Sequence, residues 1–291
     1  IFPFLDNVSL FLSRIYWKSI DENFSLVSVQ NSRYGQTTIV EWAGEKNVYF
    51  NGIKSSTIAD FVSSQSEAAL LIGQHPAPEK ILIMGGGFDD VALHLAALPQ
   101  THIELLALDQ QAALTILDHY PDSLRNAWNN PTFHFIFEDG RRFLTTRPDK
   151  EYDMIVINFG APSSAMVNRF YTIEFFGLVK ERLKPDGLLA VLNIPSAENY
   201  LGDQLLELNA VILNTLSEMF AITQIIPGDM AHYLAANTPG VLATPDVAKV
   251  RFMHHPIRFD FFHPAMYDYL LDPARMDAYR RQLRKENITR I

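Results

Sequence analysis

The stretch ILIMGGGFDD, residues 81–90, runs a short apolar segment into three glycines, Gly85, Gly86 and Gly87, and then into the acids Asp89 and Asp90. Glycine permits positive φ and lets another molecule approach the main chain, so a triplet at a strand end suits ligand contact as well as a tight turn. Acids as the next polar groups argue against a phosphate ligand there. Polar residues close three further apolar runs: Asp109 after HIELLAL, Asp139 and Gly140 after FHFIFE, and Asn158 to Ala161 after YDMIVI. One carboxylate can accept both ribose hydroxyl hydrogens and another can accept from a base amino group, so the ordered set describes a nucleoside pocket. Asp109 and Asp139 also stand before QQAAL and GRRFL, where each would cap a helix, and neither alone distinguishes cap from ligand contact.

These residues need a frame that brings strand ends together. From ILIMG onward, strand and helix signals alternate through DDVALHLAAL, HIELLALD, QQAALTILDHY, FHFIFED, RRFLTT, YDMIVINF, YTIEFFGLVKERL and LLAVLNI. Such alternation predicts a mostly parallel sheet with helices on both faces. A helix near Gln204 to Met219 and two β-prone runs, AITQIIP and AHYLAANT, add a hairpin at the sheet's edge and bring it to seven strands. Earlier, FSLVSVQ, TTIVEWA and NVYFNG predict a small antiparallel sheet, and a helix follows around Ile58 to Gly73. The expected organisation is an N-terminal segment with a small antiparallel β-domain over 1–57, and a Rossmann-like nucleoside-binding domain with a C-terminal extension over 58–291.

Composition narrows the class. With 291 residues and 48% hydrophobic side chains the chain can bury a substantial core. Its 24 basic and 33 acidic side chains give a net charge of −9, which repels polyanions and makes nucleic acid an unexpected partner. Cysteine is absent, which removes disulfides and thiolate metal sites and fits a reducing compartment. Asp6, Arg14 and Lys18 interrupt IFPFLDNVSLFLSRIYWKSI short of the roughly 20 apolar residues of a membrane span, so this segment reads as amphipathic. The chain opens at Ile1 without methionine. The expected location is the cytoplasm, either free or as the cytoplasmic part of a larger protein whose membrane region this chain lacks.

Other chemistry-bearing residues point to less. His254, His255 and His263 lie among aromatics without a clear carboxylate partner, and packing or a surface position is the expectation, with no metal. Ser163 and Ser164 in APSSA have no ordered histidine and acid around them. The cluster FMHHPIRFDFF suits a lid or an oligomer contact.

ILIMGGG, LALDQQ, FIFEDGRRFL, YDMIVINFGAP and RFYTIEFFGLVKERLKPDGLLAVL together resemble the spermidine synthase family of aminopropyltransferases, over about Tyr34 to Leu192. YGQTTIVEW and NGIKSS are similar to that family's N-terminal β-domain. The resemblance implies the fold of S-adenosylmethionine-dependent methyltransferases and a pocket for S-adenosylmethionine or its decarboxylated form as co-substrate. It implies a small-molecule acceptor, an amine in the family's own reaction, and self-association into a homo-oligomer. In that reaction a diamine nitrogen attacks the carbon beside a sulfonium, and a carboxylate takes the proton.

Against that pattern the chain departs at several positions. The family's ribose-binding acid falls at Ala107, with Asp109 as its substitute; Asp139 and Gly140 match the adenine-side acid and glycine. The loop that carries two aspartates in the family, one the proton acceptor, has Asn158 and Ala161. Asparagine cannot act as a base and alanine cannot hold an ammonium. Asp89 and Asp90 are candidate replacements, although acids also favour a first helical turn for dipole reasons. In QSEAAL, which replaces the family's His-Glu pair, only Glu67 is acidic. The expected activity is aminopropyl or other alkyl transfer to an unknown acceptor. The alternatives are a methyltransferase and a catalytically inactive nucleoside-binding or scaffold protein.

Overall fold

The computed structural model describes residues 3–85, 90–198 and 200–284. Helix α1 (Pro3–Ile20) precedes four antiparallel strands, β1 (Ser25–Asn31), β2 (Gln36–Trp42), β3 (Glu45–Phe50) and β4 (Ile53–Thr57), in that spatial order. Three of them coincide with the β-prone runs. The fourth, IKSST, is exposed along most of its length and shows no apolar alternation, so hydrophobic period does not reveal it. Its pairing with β3 is set instead by the two-residue turn Asn51-Gly52, both at positive φ, 50° and 82°. Helix α1 meets this sheet through Trp17, which is buried and stands 4.4 Å from the Tyr49 ring.

The second sheet has seven strands: β5 (Lys80–Gly85), β6 (His102–Ala107), β7 (Phe133–Phe137), β8 (Tyr152–Asn158), β9 (Leu183–Pro195), β10 (Ile222–Ile226) and β11 (Met230–Ala236). Their order is β10-β11-β9-β8-β5-β6-β7. Strands β5 to β9 run parallel, and β11 is antiparallel to both β9 and β10. This is the mostly parallel sheet of the S-adenosylmethionine-dependent methyltransferase type, with a late antiparallel hairpin at one edge. The chain order reverses between β5 and β8, so the crevice beyond their carboxyl ends is the switch point where doubly wound sheets bind ligands.

The central strands are apolar on both sides because both faces are covered. Ile81, Ile83, Met154 and Val156 pack in one core with α2 (Phe61–Gln74), α3 (Asp90–Leu95), α4 (Gln110–Asp118) and residues beyond 240. Leu82, Met84, Ile155 and Ile157 point the other way. There they meet the second core, formed with the helices that follow α5 (Asp122–Arg125), namely α6 (Gly140–Thr145), α8 (Ile173–Arg182) and α9 (Asp203–Met219), the short α7 (Ala165–Asn168) lying between α6 and α8.

The C-terminal aromatics are not a free lid. Helix α10 (Pro245–His254) and the short α11 (Tyr267–Leu270) pack on α2, where the Tyr267 hydroxyl donates to the Ala69 carbonyl. Arg251 donates to the carbonyl oxygens of Gly73 and Gln74, satisfying the last turn of α2, while Gln74 accepts from the Ala243 N–H at 2.8 Å. His255 is buried, and His263 is exposed and caps a single 3-10 turn. The last helix described, α12 (Pro273–Leu283), lies against α9 and β10.

At the opposite end of the sheet the buried Asp153 carboxylate accepts from the backbone N–H groups of Glu79 and Lys80 at 3.0 and 2.9 Å, and from Lys184. Desolvation of that charge is offset by three donors, which fixes where β5 and β8 begin. At their other end, a Cβ on Gly85 would stand 2.7 Å from the Asn158 carbonyl oxygen.

Two glycines therefore separate close approach from mere flexibility. Gly85→Ala should destabilise the protein by about 1–3 kcal/mol through overpacking against backbone. Gly177→Ala, inside α8 with Met219 at an ordinary 3.5 Å, should stabilise it by about 0.5–1 kcal/mol through helix propensity. Denaturant unfolding of both variants checks the opposite signs.

Candidate functional site

Four strand ends meet at the switch point. Gly85, last in β5, is the register partner of Asn158, last in β8. Gly86, Gly87 and Asp89 lie outside the described residues. Strand β6 ends its ladder at Ala107, and the extended backbone of Asp109, at φ −111° and ψ 98°, leads into α4. Asp139 follows β7 and leads into α6.

Asp109 and Asp139 share one arrangement. In each, Oδ1 accepts two backbone N–H groups of the following helix: Gln111 and Ala112 at 3.0 and 3.1 Å for Asp109, Arg141 and Arg142 at 3.1 Å for Asp139. Each Oδ2 is turned to a side chain from a separate element. The Ser32 hydroxyl, just past β1, donates to Asp109, and the Arg169 guanidinium, between α7 and α8, donates to Asp139. Cap and outward contact are thus made by different oxygens of the same carboxylate. Burial pushes the Asp139 pKa up, but the Arg142 N–H and the Arg169 guanidinium outweigh it and hold the carboxyl below the usual aspartate range.

Gly140 is needed for packing: a Cβ there would stand 3.1 Å from the Phe170 ring. Phe170 in turn stacks on Phe159 at 4.5 Å and 13° between planes, so the loop after β8 carries an aromatic wall beside Asp139. The Tyr171 hydroxyl, its pKa raised by burial, donates to the Gly160 carbonyl and holds the same loop.

Asn158 stands where the resemblance puts a proton-accepting aspartate. Its Oδ1 accepts from Asn193 Nδ2 at 3.0 Å. Asn193 is itself at positive φ, 60°, where β9 pairs irregularly with β11, and its backbone N–H donates to His232 Nδ1 at 3.3 Å. Burial lowers the His232 pKa to about 4, so the ring is neutral and Nδ1 accepts. Position 158 is therefore built into a neutral amide and imidazole chain.

Asp90 is buried and supports the fold: its Oδ1 accepts from the Tyr120 hydroxyl at 2.9 Å and its Oδ2 from the Asp60 N–H at 3.0 Å. Asp60 then caps α2, accepting from the Ser63 N–H at 3.1 Å. On α2, Gln65 accepts from the Phe261 N–H at 2.8 Å and Glu67 is buried. Ser32, Arg169, Asn193 and His232 were not singled out by sequence reasoning. Asn193 in LAVLNI had one local signal, since asparagine is the ordinary non-glycine choice for a left-handed residue. For Arg169 and His232 no pattern of spacing points to the contact.

A doubly wound sheet of this strand order defines an α/β fold of the S-adenosylmethionine-dependent methyltransferase type. Residues 66–238 match the family model of the spermine/spermidine synthase domain, more than half of the chain, and the protein belongs to that family. It is similar to a polyamine aminopropyltransferase of Korarchaeum cryptofilum, 30% identical over 112 residues, 38% of this chain and 34% of that protein. It is also similar to polyamine aminopropyltransferase 2 of Hyperthermus butylicus, 26% identical over 200 residues, 66% of this chain and 62% of that protein. The chain thus spans less than two thirds of these relatives' length. Among solved structures, the spermidine synthase from Thermotoga maritima superposes with a TM-score of 0.71 at 17% identity, covering 89% of this chain and 87% of that one, a likeness of fold.

The junction of α2 and α3 generates a pH prediction. His94 Nε2 lies 3.0 Å from Ser64 Oγ, its ring packs edge-on to Phe61 and Phe259, and burial lowers its pKa from 6.5 to about 4. The unfolded chain takes up this proton first, so the stability His94 contributes is present above pH 6.5 and lost as pH falls towards 4. Thermal melts between pH 7 and 4 should show a falling Tm, and His94→Gln should flatten that slope; an unchanged slope would place the acid sensitivity elsewhere.

Proposed function

We propose that the protein is a spermidine synthase-family transferase that binds an S-adenosyl sulfonium nucleoside, S-adenosylmethionine or its decarboxylated form, at Gly85 to Gly87, Asp89, Asp109, Asp139, Gly140 and Asn158. The observation that carries this reading is the shared arrangement of Asp109 and Asp139. Each spends one oxygen on its helix and gives the other to a donor from a separate element, Ser32 or Arg169, beyond consecutive strand ends, where a doubly wound sheet receives a ligand. A cap alone would not require that second, separately engaged oxygen.

In the proposed reaction the acceptor's lone pair forms a bond to a carbon beside the sulfonium. The carbon–sulfur bond breaks and its electron pair neutralises sulfur, leaving a thioether nucleoside. The protein's contribution is orientation and exclusion of water at the strand ends. With Asn158 and Ala161 in the loop, those two positions offer no carboxylate to take a proton or to hold an ammonium. The acceptor in this reading is a small molecule whose reacting atom is already neutral or anionic, and transfer of a methyl or other alkyl group fits it as well as aminopropyl transfer does. Self-association and a cytoplasmic location belong to the same proposal.

A second reading, a nucleoside-binding or scaffold protein without catalysis, is favoured by one observation: the Asn158 side chain is held by Asn193 as a neutral pair. Two experiments separate the readings. Calorimetric titration with S-adenosylmethionine, its decarboxylated form and methylthioadenosine should give binding of at least one, weakened about tenfold or more in Asp109→Asn, which keeps the cap but loses the charge-assisted contact. Equal affinities in wild type and variant would remove Asp109 from the site, and binding of none would overturn the pocket.

The double substitution Asn158→Asp with Ala161→Asp tests the chemistry. It should raise aminopropyl transfer from the decarboxylated donor to a diamine by about tenfold or more, the scale of a positioned general base. No gain in a variant that still binds the donor would favour the scaffold reading.

A further inference from the structure

Arg169 is the one cation held on a carboxylate of the proposed site among the contacts described above. Its guanidinium donates to Asp139 Oδ2, lies 4.8 Å from the centre of the Phe170 ring, and keeps its buried Nε without a hydrogen-bond partner. Phe170 is 4% exposed and wedged between Gly140 and Phe159, and Arg141 ties the same segment to α6 by donating to Thr172 at 3.2 Å. Packing of its neighbour thus keeps Arg169 beside the carboxylate.

This position bears on which base the site accepts. An amino group on a purine is a donor with positively polarised hydrogens, and it needs an acceptor facing it. A carboxylate alone would favour it and would repel a keto oxygen. With a guanidinium on Oδ2, one lone pair is taken and a positive charge stands within a few ångströms of the incoming group. The amino hydrogens then lose attraction and a keto oxygen gains a donor, as arginine's fork is suited to purine keto and ring-nitrogen acceptors.

We propose that Arg169 is a specificity-determining residue that cancels the preference of Asp139 for a 6-amino purine, so that the site takes 6-amino and 6-oxo purine nucleosides alike. The inference rests on the nucleoside reading of the pocket. It concerns only the base edge and is independent of the donor's tail and of the acceptor.

The test is calorimetric titration of the whole chain with methylthioadenosine and its inosine counterpart, in wild type, Arg169→Met and Arg169→Lys. Wild type should bind the two within about threefold, Arg169→Met should prefer the amino ligand by about tenfold or more, and Arg169→Lys, which keeps the cation, should stay near wild type. A mere strap for the loop would move both affinities together and leave their ratio unchanged. Binding with the same ratio in all three proteins, or a tenfold amino preference already in wild type, would overturn the inference and leave the pocket standing. Binding of neither nucleoside to any of the three would overturn the pocket and the inference with it.

Discussion

The close approach of β5 and β8 at their carboxyl ends is the constraint on which the site depends. Because Gly85 presents no Cβ to the Asn158 carbonyl, the two strands stay paired to their last residues, which end at one level. That level is also where β6 and β7 release their chains into α4 and α6. The beginning of the same strands is fixed independently by Asp153, buried among two backbone donors and a lysine, so a one-residue slip at either end would strand a charge or force a clash. A sheet pinned at both ends holds its strand-end groups in a defined mutual geometry without help from the loops.

Within that geometry each polar residue at a strand end also serves the local structure. Asp109 and Asp139 retain caps that the helices need, which preserves them through any change of ligand. Asn158 retains the size of an aspartate and loses only its ionisation, and its amide is absorbed into the pair with Asn193 and, through that residue's backbone, into His232. At this half-buried position a paired neutral amide costs less desolvation than a carboxylate would, so Asn158 suits the local structure.

Most of the fold was legible because its signals are local. Alternating strand and helix patterns gave the parallel sheet, the closing hairpin and the strand-end acids, and in the family comparison the match from 66 to 238 falls largely within the stretch where those patterns alternate. Strand β4 was missed by period because it is exposed and polar, although Asn51-Gly52 marked its turn. Asp90 was a candidate replacement acid because it follows the glycines, with helix-dipole placement as the alternative; its hydrogen-bond partners Tyr120 and Asp60, thirty residues away on either side, left no local signal. The C-terminal aromatics read as a lid or an oligomer contact because nothing in FMHHPIRFDFF names α2 as their partner. Ser32 and Arg169 were invisible for the same reason: a hydrogen bond between elements far apart in sequence leaves no spacing to read.

Electrostatics then ties the departures together. In the reading of the pocket proposed above, the acids that would hold a dicationic amine are replaced by Asn158 and Ala161, and the acid that would select an amino base carries a guanidinium. In that reading both changes make the cleft less anionic than it would be with carboxylates alone, while the protein as a whole carries −9. A neutral or singly anionic small molecule would then meet the Arg169 guanidinium at the strand ends, so the binding preference would follow from few side chains on the same frame.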